Sequence, residues 1–199
     1  MWQRQRGFNL IEALVTVSVL GILLAVTLPS VADWIGSTRV RALAEATQNG
    51  LQRARTEAMK RNRVITFWLV SPPGTSSPDA TCALSSSSAA WVVSIDDPTG
   101  KCNTAPSASA DPRIVQVYGP GRTADRVNVT AVGADGSAAT SVSFNGYGQR
   151  VGAGIATIDL VHANSSIRPL RVQVTTSGGV RMCDPVVTAA DANDPRACR

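Results

Sequence analysis

The sequence contains one histidine, His162, and four cysteines, and no two of the cysteines form a C-x-x-C pair. Structural zinc sites usually combine such closely spaced cysteines with one another or with nearby histidines. His162 is distant in sequence from every cysteine. The pattern therefore predicts no metal site of the usual spacing, and we expect no bound metal or cofactor.

Recognisable catalytic motifs are also missing. The sequence has no G-x-S-x-G elbow, no Walker loop and no H-E-x-x-H pair. Two adjacent carboxylates, Asp96 and Asp97, precede Pro98, an arrangement typical of a turn rather than of a general acid–base pair. We therefore predict a protein that is not an enzyme. A membrane-anchored enzyme is the alternative that the lack of a catalytic set disfavours.

Lysine is nearly absent, so arginine carries most of the positive charge. The net charge of +5 over 199 residues is a mild basic excess. It is compatible with DNA or anionic lipid as a partner but requires neither. The length allows one ordinary domain and an additional element.

A long apolar run occupies residues 8–28 and contains a single carboxylate, Glu12. As a helix, this run would rise about 30 Å, which is enough to cross the hydrocarbon core of a bilayer. A cleaved secretory signal peptide is the alternative. However, the run is longer than a typical signal-peptide core, no A-x-A-like cleavage site follows it, and helical sequence continues beyond Pro29. We therefore predict a membrane-spanning helix.

The helical pattern continues after the apolar run. Small or apolar residues recur three or four positions apart, which is typical of one face of an amphipathic helix. We predict one helix from residue 8 to residue 61, about 80 Å long, bent near Pro29 and Gly36. Asn62 is expected to end it, because asparagine tolerates left-handed geometry. On its polar side, Glu57 and Arg61 are spaced for an ion pair. The positions of the apolar stripe are Val40, Leu43, Thr47, Leu51, Ala54 and Ala58.

Beyond residue 63 the hydrophobic residues alternate with a period of two. This predicts short β-strands separated by turns rich in Gly, Pro, Ser and Asp. A tight turn is expected at F-N-G-Y-G, residues 144–148. The predicted fold class is α+β, with a long N-terminal helix packed on an antiparallel β-sheet domain. The predicted strands cover residues 64–70, 90–95, 114–118, 127–132, 141–144, 156–161 and 170–175.

The N-terminal segment resembles the class III signal of type IV pilins and of the pseudopilins of type II secretion. The resemblance lies in a short basic leader, the junction of Gly7 and Phe8, Glu12, the apolar run and Pro29. It implies that prepilin peptidase cleaves after Gly7 and that Phe8 becomes the methylated first residue. The stretch at residues 51–65 is similar to the helix end and first strand of the FimT/GspH group. That group contains minor pilins of type IV pilus biogenesis and the H-type minor pseudopilin of type II secretion.

The resemblance also implies an assembly role for Glu12. After cleavage, Phe8 would carry an ammonium group about one helical turn from Glu12. In a filament of parallel helices, the carboxylate of one subunit would pair with the ammonium of a neighbour. Such pairing avoids two isolated charges in a low-dielectric environment. The alternative is that Glu12 lies near the lipid headgroups and is hydrated.

Four segments follow from this resemblance: a leader at residues 1–7, a transmembrane assembly helix at 8–29, an amphipathic helix half at 30–62, and a periplasmic β-rich domain at 63–199. It implies a single-pass inner-membrane protein that is incorporated into a pilus or pseudopilus. The expected partners are prepilin peptidase, other pilins or pseudopilins and the inner membrane. The expected function is that of a minor pilin or pseudopilin, a structural subunit that helps to initiate or cap the fibre.

An even number of cysteines in an exported chain favours disulfide bonds, and four cysteines allow three connectivities. We favour the pairing of sequence neighbours, Cys82 with Cys102 and Cys183 with Cys198, because each pair brackets a polar loop rich in Pro, Ser or Asp. This pairing implies an oxidising compartment.

The C-terminal region resembles that of FimT-type proteins, some of which bind DNA during natural transformation through a Gly-Arg-x-Arg motif. Here the corresponding residues are Gly178, Gly179, Val180 and Arg181, so a glycine replaces the first arginine. A DNA-binding minor pilin is therefore the alternative function. The other interpretation is that these arginines keep an edge strand and the tail soluble. The candidate patch for double-stranded DNA comprises Arg168, Arg171, Arg181, Arg196 and Arg199.

Overall fold

The computed structural model describes residues 9–71, 77–187 and 194–198, without the side chains of residues 24–30. In these described ranges, one long helix, α1 (Leu10–Arg61), precedes ten β-strands, and all pairs between these strands are antiparallel. A short 3₁₀ helix, Gly121–Ala124, lies between two of the strands. The predicted α+β class is confirmed.

Helix α1 runs without interruption from Leu10 to Arg61, so it continues through Pro29. Asn9 caps its first turn, where the Asn9 side chain accepts a hydrogen bond from the backbone N–H of Ile11. Asn62 ends the helix in a left-handed conformation with φ of 47°. The backbone N–H of Arg63 then donates to the carbonyl of Ala58. The predicted stop at Asn62 is confirmed.

The strands are β1 Ile65–Ser71, β2 Ala83–Leu84, β3 Trp91–Ser94, β4 Ile114–Tyr118, β5 Val127–Gly133, β6 Ser141–Phe144, β7 Arg150–Val151, β8 Ile155–His162, β9 Leu170–Val174 and β10 Val180–Cys183. They form two sheets. In the larger, six-stranded sheet the order is β4-β3-β1-β6-β7, and β2 pairs with Val70 and Ser71 at the end of β1. In the four-stranded sheet the order is β10-β9-β8-β5.

All seven predicted strands are present, with ends shifted by one residue in several cases. The hydrophobic periodicity did not predict β2, β7 and β10. Two of these are only two residues long, which is too short to show a period. The third, β10, mixes apolar and basic residues and is partly exposed along most of its length, so it lacks clear alternation.

The main core lies between α1 and the two sheets. The six stripe positions that the sequence analysis identified on α1 are each at most 3% exposed. They pack with the inward residues of both sheets, including Phe67, Phe144, Ile158 and Leu160. Burial of one large aliphatic side chain contributes about 1.5–3 kcal/mol. This apolar contact therefore holds the second half of α1 on the domain.

Two glycines let the helix backbone approach the domain closely. A Cβ atom on Gly50 would lie 2.8 Å from the ring of Trp91 and 2.9 Å from that of Phe67. A Cβ atom on Gly36 would lie 2.2 Å from Ile167 Cδ1. Gly36 thus has a packing role, because a glycine at this position leaves room for the loop after β8.

A second, smaller core lies on the opposite face of the six-stranded sheet. There the disulfide between Cys82 and Cys102 packs with Val70, Val92 and Ile114. Consequently β1 and β3 are buried almost entirely on both faces. The segment that carries this disulfide therefore covers a surface that the sequence pattern would leave open to water.

Replacing Gly50 by alanine should destabilise the protein. Alanine normally favours a helix over glycine by about 1 kcal/mol, but here its methyl group would overlap the Trp91 and Phe67 rings. Overpacking costs about 1–3 kcal/mol. We therefore expect a lower free energy of unfolding than in the wild type, measured by urea unfolding of the full-length chain in detergent. Gly21→Ala is the control, because a Cβ there meets nothing within 4 Å. Equal stability of the two variants would contradict the close packing.

Candidate assembly and partner surfaces

Residues 10–23 of α1 present an exposed apolar surface. Leu10, Ile11, Val17 and Ile22 are each at least 66% exposed, and the chain offers them no tertiary partner in the part that is described. Glu12 lies in the first turn of this surface and is exposed. The predicted cleavage residues Gly7 and Phe8 lie outside the described residues. Within the described chain, none of the helical segments is both long enough and apolar enough to cross a membrane.

The other end of α1 carries an ion-pair network around Glu57. Its side chain is 3% exposed and contacts two arginines, with 2.7 Å to Arg61 Nε and 3.3 Å to an Arg53 nitrogen. Burial acts to raise the pKa of Glu57. The hydrogen bond from Arg61 and the charges of Arg61, Arg53 and Lys60 outweigh it, so the pKa is lowered. The predicted Glu57–Arg61 pair is confirmed, but Glu57 is a buried residue rather than a member of an exposed face.

The predicted tight turn at residues 144–148 is present, and it packs against this end of the helix. The Asn145 side-chain oxygen accepts hydrogen bonds from the backbone N–H groups of Tyr147 and Gln149, each at 3.0 Å. Gly148 has φ of +74°, and a Cβ there would lie 2.8 Å from Met59 Sδ. Arg55 Nε donates to the Gly148 carbonyl at 3.0 Å. The turn is thereby fixed on α1 and leaves Tyr147 83% exposed.

The C-terminal tail is tied back as the sequence predicted. Disulfides join Cys82 to Cys102 and Cys183 to Cys198, so the favoured connectivity is confirmed. The backbone N–H of Asp184 donates to the carbonyl of Arg196 at 2.8 Å. This contact places the end of the tail beside β10.

The predicted DNA-binding arginines separate into two pairs. Arg171 and Arg181 lie on β9 and β10, on the face opposite to that of Leu170 and Met182, because side chains alternate along a strand. Arg171 makes a bidentate contact with Asp159 across the β8–β9 pair, at 2.6 and 2.8 Å. Arg181 donates twice to the side-chain oxygen of Gln173, at 2.8 and 3.0 Å.

The other pair lines a groove of about 910 Å³ between α1 and the tail. Arg168 lies 3.4 Å from Asp184, and Arg196 contacts Asp194 at 2.7 Å. The hydrogen bond from Arg196 is the largest cause that lowers the pKa of Asp194, to about 2. Arg199 lies outside the described residues. Three of the four described arginines thus contact a carboxylate of the same chain.

Several features of these surfaces were not anticipated. Trp34, on α1 beside the groove, is 68% exposed. The exposed Tyr147 and the burial of Glu57 were also missed, because both depend on how a distant segment packs. In the described ranges, no group of three or more metal-ligating side chains lies together. His162 is buried, and its Nδ1 accepts a hydrogen bond from the backbone N–H of Asn164 at 3.0 Å.

Comparison with known proteins gives two family matches. Residues 43–178 match the family model described as type II transport protein GspH. Residues 2–28 match the model of the prokaryotic N-terminal methylation motif. These matches confirm the resemblance seen in the sequence. No curated protein matches the chain.

Among solved structures, the type IV minor pilin FimU of Pseudomonas aeruginosa (strain PAO1) is similar in two crystal forms. The P21 form has 14% sequence identity and a TM-score of 0.46, over 73% of this chain and 88% of that chain. The P65 form has 12% identity and a TM-score of 0.45, over 71% and 90% respectively.

The stability that Glu57 provides should disappear in acid. Its pKa is lowered from 4.5 in the folded state, so its contribution is complete above pH 4.5 and is lost as the pH falls through the folded-state pKa. At neutral pH, Glu57→Gln should lower the free energy of unfolding by about 1.5–3 kcal/mol, the range for hydrogen bonds to charged groups. The difference from wild type should shrink as the pH is lowered. The exposed Glu45 provides the control Glu45→Gln, and a difference that is independent of pH would contradict this assignment.

Proposed function

The chain belongs to the GspH family of type II transport proteins, and we propose that it works as a minor pilin or pseudopilin. In this role it is a structural, non-catalytic subunit that helps to initiate or cap a type IV pilus or a type II secretion pseudopilus. The observation that carries the proposal is the exposed apolar surface of residues 10–23, with Glu12 in the first turn of the helix, on the same helix that packs on the folded domain. A contiguous exposed apolar surface normally marks an interaction site.

Prepilin peptidase would remove residues 1–7 and leave the other three segments, 8–29, 30–62 and 63–199, as one mature chain. The match of residues 2–28 to the methylation motif supports cleavage between Gly7 and Phe8 and methylation of Phe8. Residues 8–29 would then anchor the protein in the inner membrane and pack against other pilins. The domain from residue 63 onward would lie in the periplasm, where disulfide bonds persist.

Glu12 would provide the polar contact of assembly. In our proposal its carboxylate pairs with the N-terminal ammonium of a neighbouring subunit. Within an apolar bundle, an unpaired charge is costly, so a subunit that forms this pair is favoured over one that does not. The same pair would also set the axial position of one helix relative to the next.

The DNA-binding alternative has less support. Arg168, Arg171 and Arg196 contact carboxylates, and Arg181 contacts Gln173. Phosphate would have to compete with these partners. DNA binding through the C-terminal arginines stays a prediction of the sequence, and no contact among the described arginines favours it as a second function.

Replacing Gly7 should block processing. We expect Gly7→Val to accumulate as an uncleaved precursor when it is co-expressed with prepilin peptidase, because a side chain at the cleavage junction should not fit a site that accepts glycine. Mass spectrometry of the N-terminus reports both cleavage and methylation of Phe8. Asn9→Ala, beyond the junction, is the control. Normal processing of Gly7→Val would contradict the assignment of the cleavage site to the junction of Gly7 and Phe8.

Replacing Glu12 should impair assembly without affecting membrane insertion. Removing one partner of a buried ion pair costs about 3–5 kcal/mol, so Glu12→Gln should reduce incorporation into filaments by more than tenfold. Glu12→Asp keeps the charge and should recover part of the incorporation. The measurement is the amount of the subunit in sheared filaments relative to the membrane fraction. If Glu12→Gln assembles as well as wild type, Glu12 is simply hydrated at the membrane surface.

A further inference from the structure

The end of α1 opposite to the assembly segment concentrates the positive charge of the molecule. Residues 53–63 contain five basic side chains and one acidic side chain, a net charge of +4 in a chain whose net charge is +5. The helix dipole accounts for Lys60 and Arg61 in the last turn. It does not account for Arg63, which lies beyond the helix end.

Two of these cations have no ion-pair or hydrogen-bond partner among the described residues. In the described part of the chain, Lys60 and Arg63 form neither an ion pair nor a side-chain hydrogen bond, and both are exposed. The acidic groups that act on them electrostatically are Glu57 and Asp96. Glu57 is bound by Arg53 and Arg61, and Asp96 by Arg113. The charges of Lys60 and Arg63 therefore remain available to a partner.

Exposed apolar side chains lie next to these cations in the chain and on the turn that packs against Met59 and Asn62. Tyr147 is 83% exposed, and the backbone of its turn is fixed by Asn145 and by packing of Gly148 on Met59. Met59 is 42% and Val64 46% exposed. An aromatic side chain on an immobilised turn loses little conformational entropy when it is buried by a partner. Tyr, Met and Arg are also enriched at protein interfaces.

We propose that Met59, Lys60, Arg63, Val64 and Tyr147 form a docking surface, the distal surface, for an acidic segment of a partner protein. In such a complex the carboxylates of the partner would pair with Lys60 and Arg63, and an apolar side chain would cover Tyr147 and Met59. A nucleic acid would use the cations, but the exposed Met59 and Val64 would gain little from phosphate. The combination of charge and apolar area therefore favours a protein.

The distal surface is about 75 Å along α1 from Leu10, so its partner would bind away from the helices that assemble the filament. This interface is independent of the assembly role of Glu12. If the distal interface were disproved, the proposed function as a minor pilin or pseudopilin would still stand, because incorporation into filaments is measured separately.

A site-specific photo-crosslink tests the proposal. The full-length chain is expressed in its own cells with p-benzoylphenylalanine in place of Tyr147, and the adduct formed on irradiation is mapped by mass spectrometry. We expect one discrete protein adduct whose crosslinked peptide is rich in Asp and Glu. The double variant Lys60→Glu, Arg63→Glu should reduce its yield by about tenfold or more, because opposed charges become like charges across the interface.

The matched control is the double variant Arg41→Glu, Arg122→Glu, which makes the same change in net charge at exposed arginines elsewhere. It should leave the adduct unchanged. When the mapped carboxylates of the partner are replaced by lysines, the adduct with the double variant Lys60→Glu, Arg63→Glu should be restored. The proposal is wrong if both double variants behave alike, if the crosslinked peptide has no carboxylates, if the adduct is removed by nuclease, or if irradiation yields no adduct. Filament incorporation of each variant is scored in parallel.

Discussion

The close contact between one face of a single helix and two β-sheets is the constraint on which the rest of this structure depends. Small and aliphatic residues line that face, and glycines at positions 36 and 50 admit a loop and a pair of aromatic rings against the helix backbone. Side chains packed at this distance tolerate little displacement. The helix is therefore held at a fixed rotation about its axis, and the remaining surfaces of the molecule follow from that rotation.

The two ends of the helix consequently have different surroundings. Residues 10–23 expose their apolar side chains, whereas the second half of the helix has an apolar face inward and cations outward. At the junction with the first strand, rotation of the helix brings Glu57 inward. The buried carboxylate is tolerated because Arg53 and Arg61 reach it from one turn on either side. A structural ion pair thus uses two of the cations at this end and leaves Lys60 and Arg63 outside it.

Much of the fold could be predicted from local sequence signals. The apolar stripe of α1, its end at Asn62, seven strands and both disulfides depend on residues that are close together in the chain. The division into two sheets, by contrast, depends on pairings between distant strands, such as β1 with β6 and β5 with β8. The burial of both faces of β1 arises because a disulfide-bearing segment covers it. No periodic pattern within β1 contains that information.

The arginines show why a count of basic residues does not define a binding surface. Arg171 is close to nothing acidic in sequence, but strand register places it opposite Asp159. Arg168 acquires Asp184 as a partner because the tail disulfide and β10 bring that residue to the loop before β9. Lys60 and Arg63, in contrast, lie where the chain leaves the helix, and the two nearby carboxylates are already bound by other arginines. A charge is available for a partner only when the fold has supplied no counter-charge, and that condition is met at the helix end rather than along the C-terminal strands.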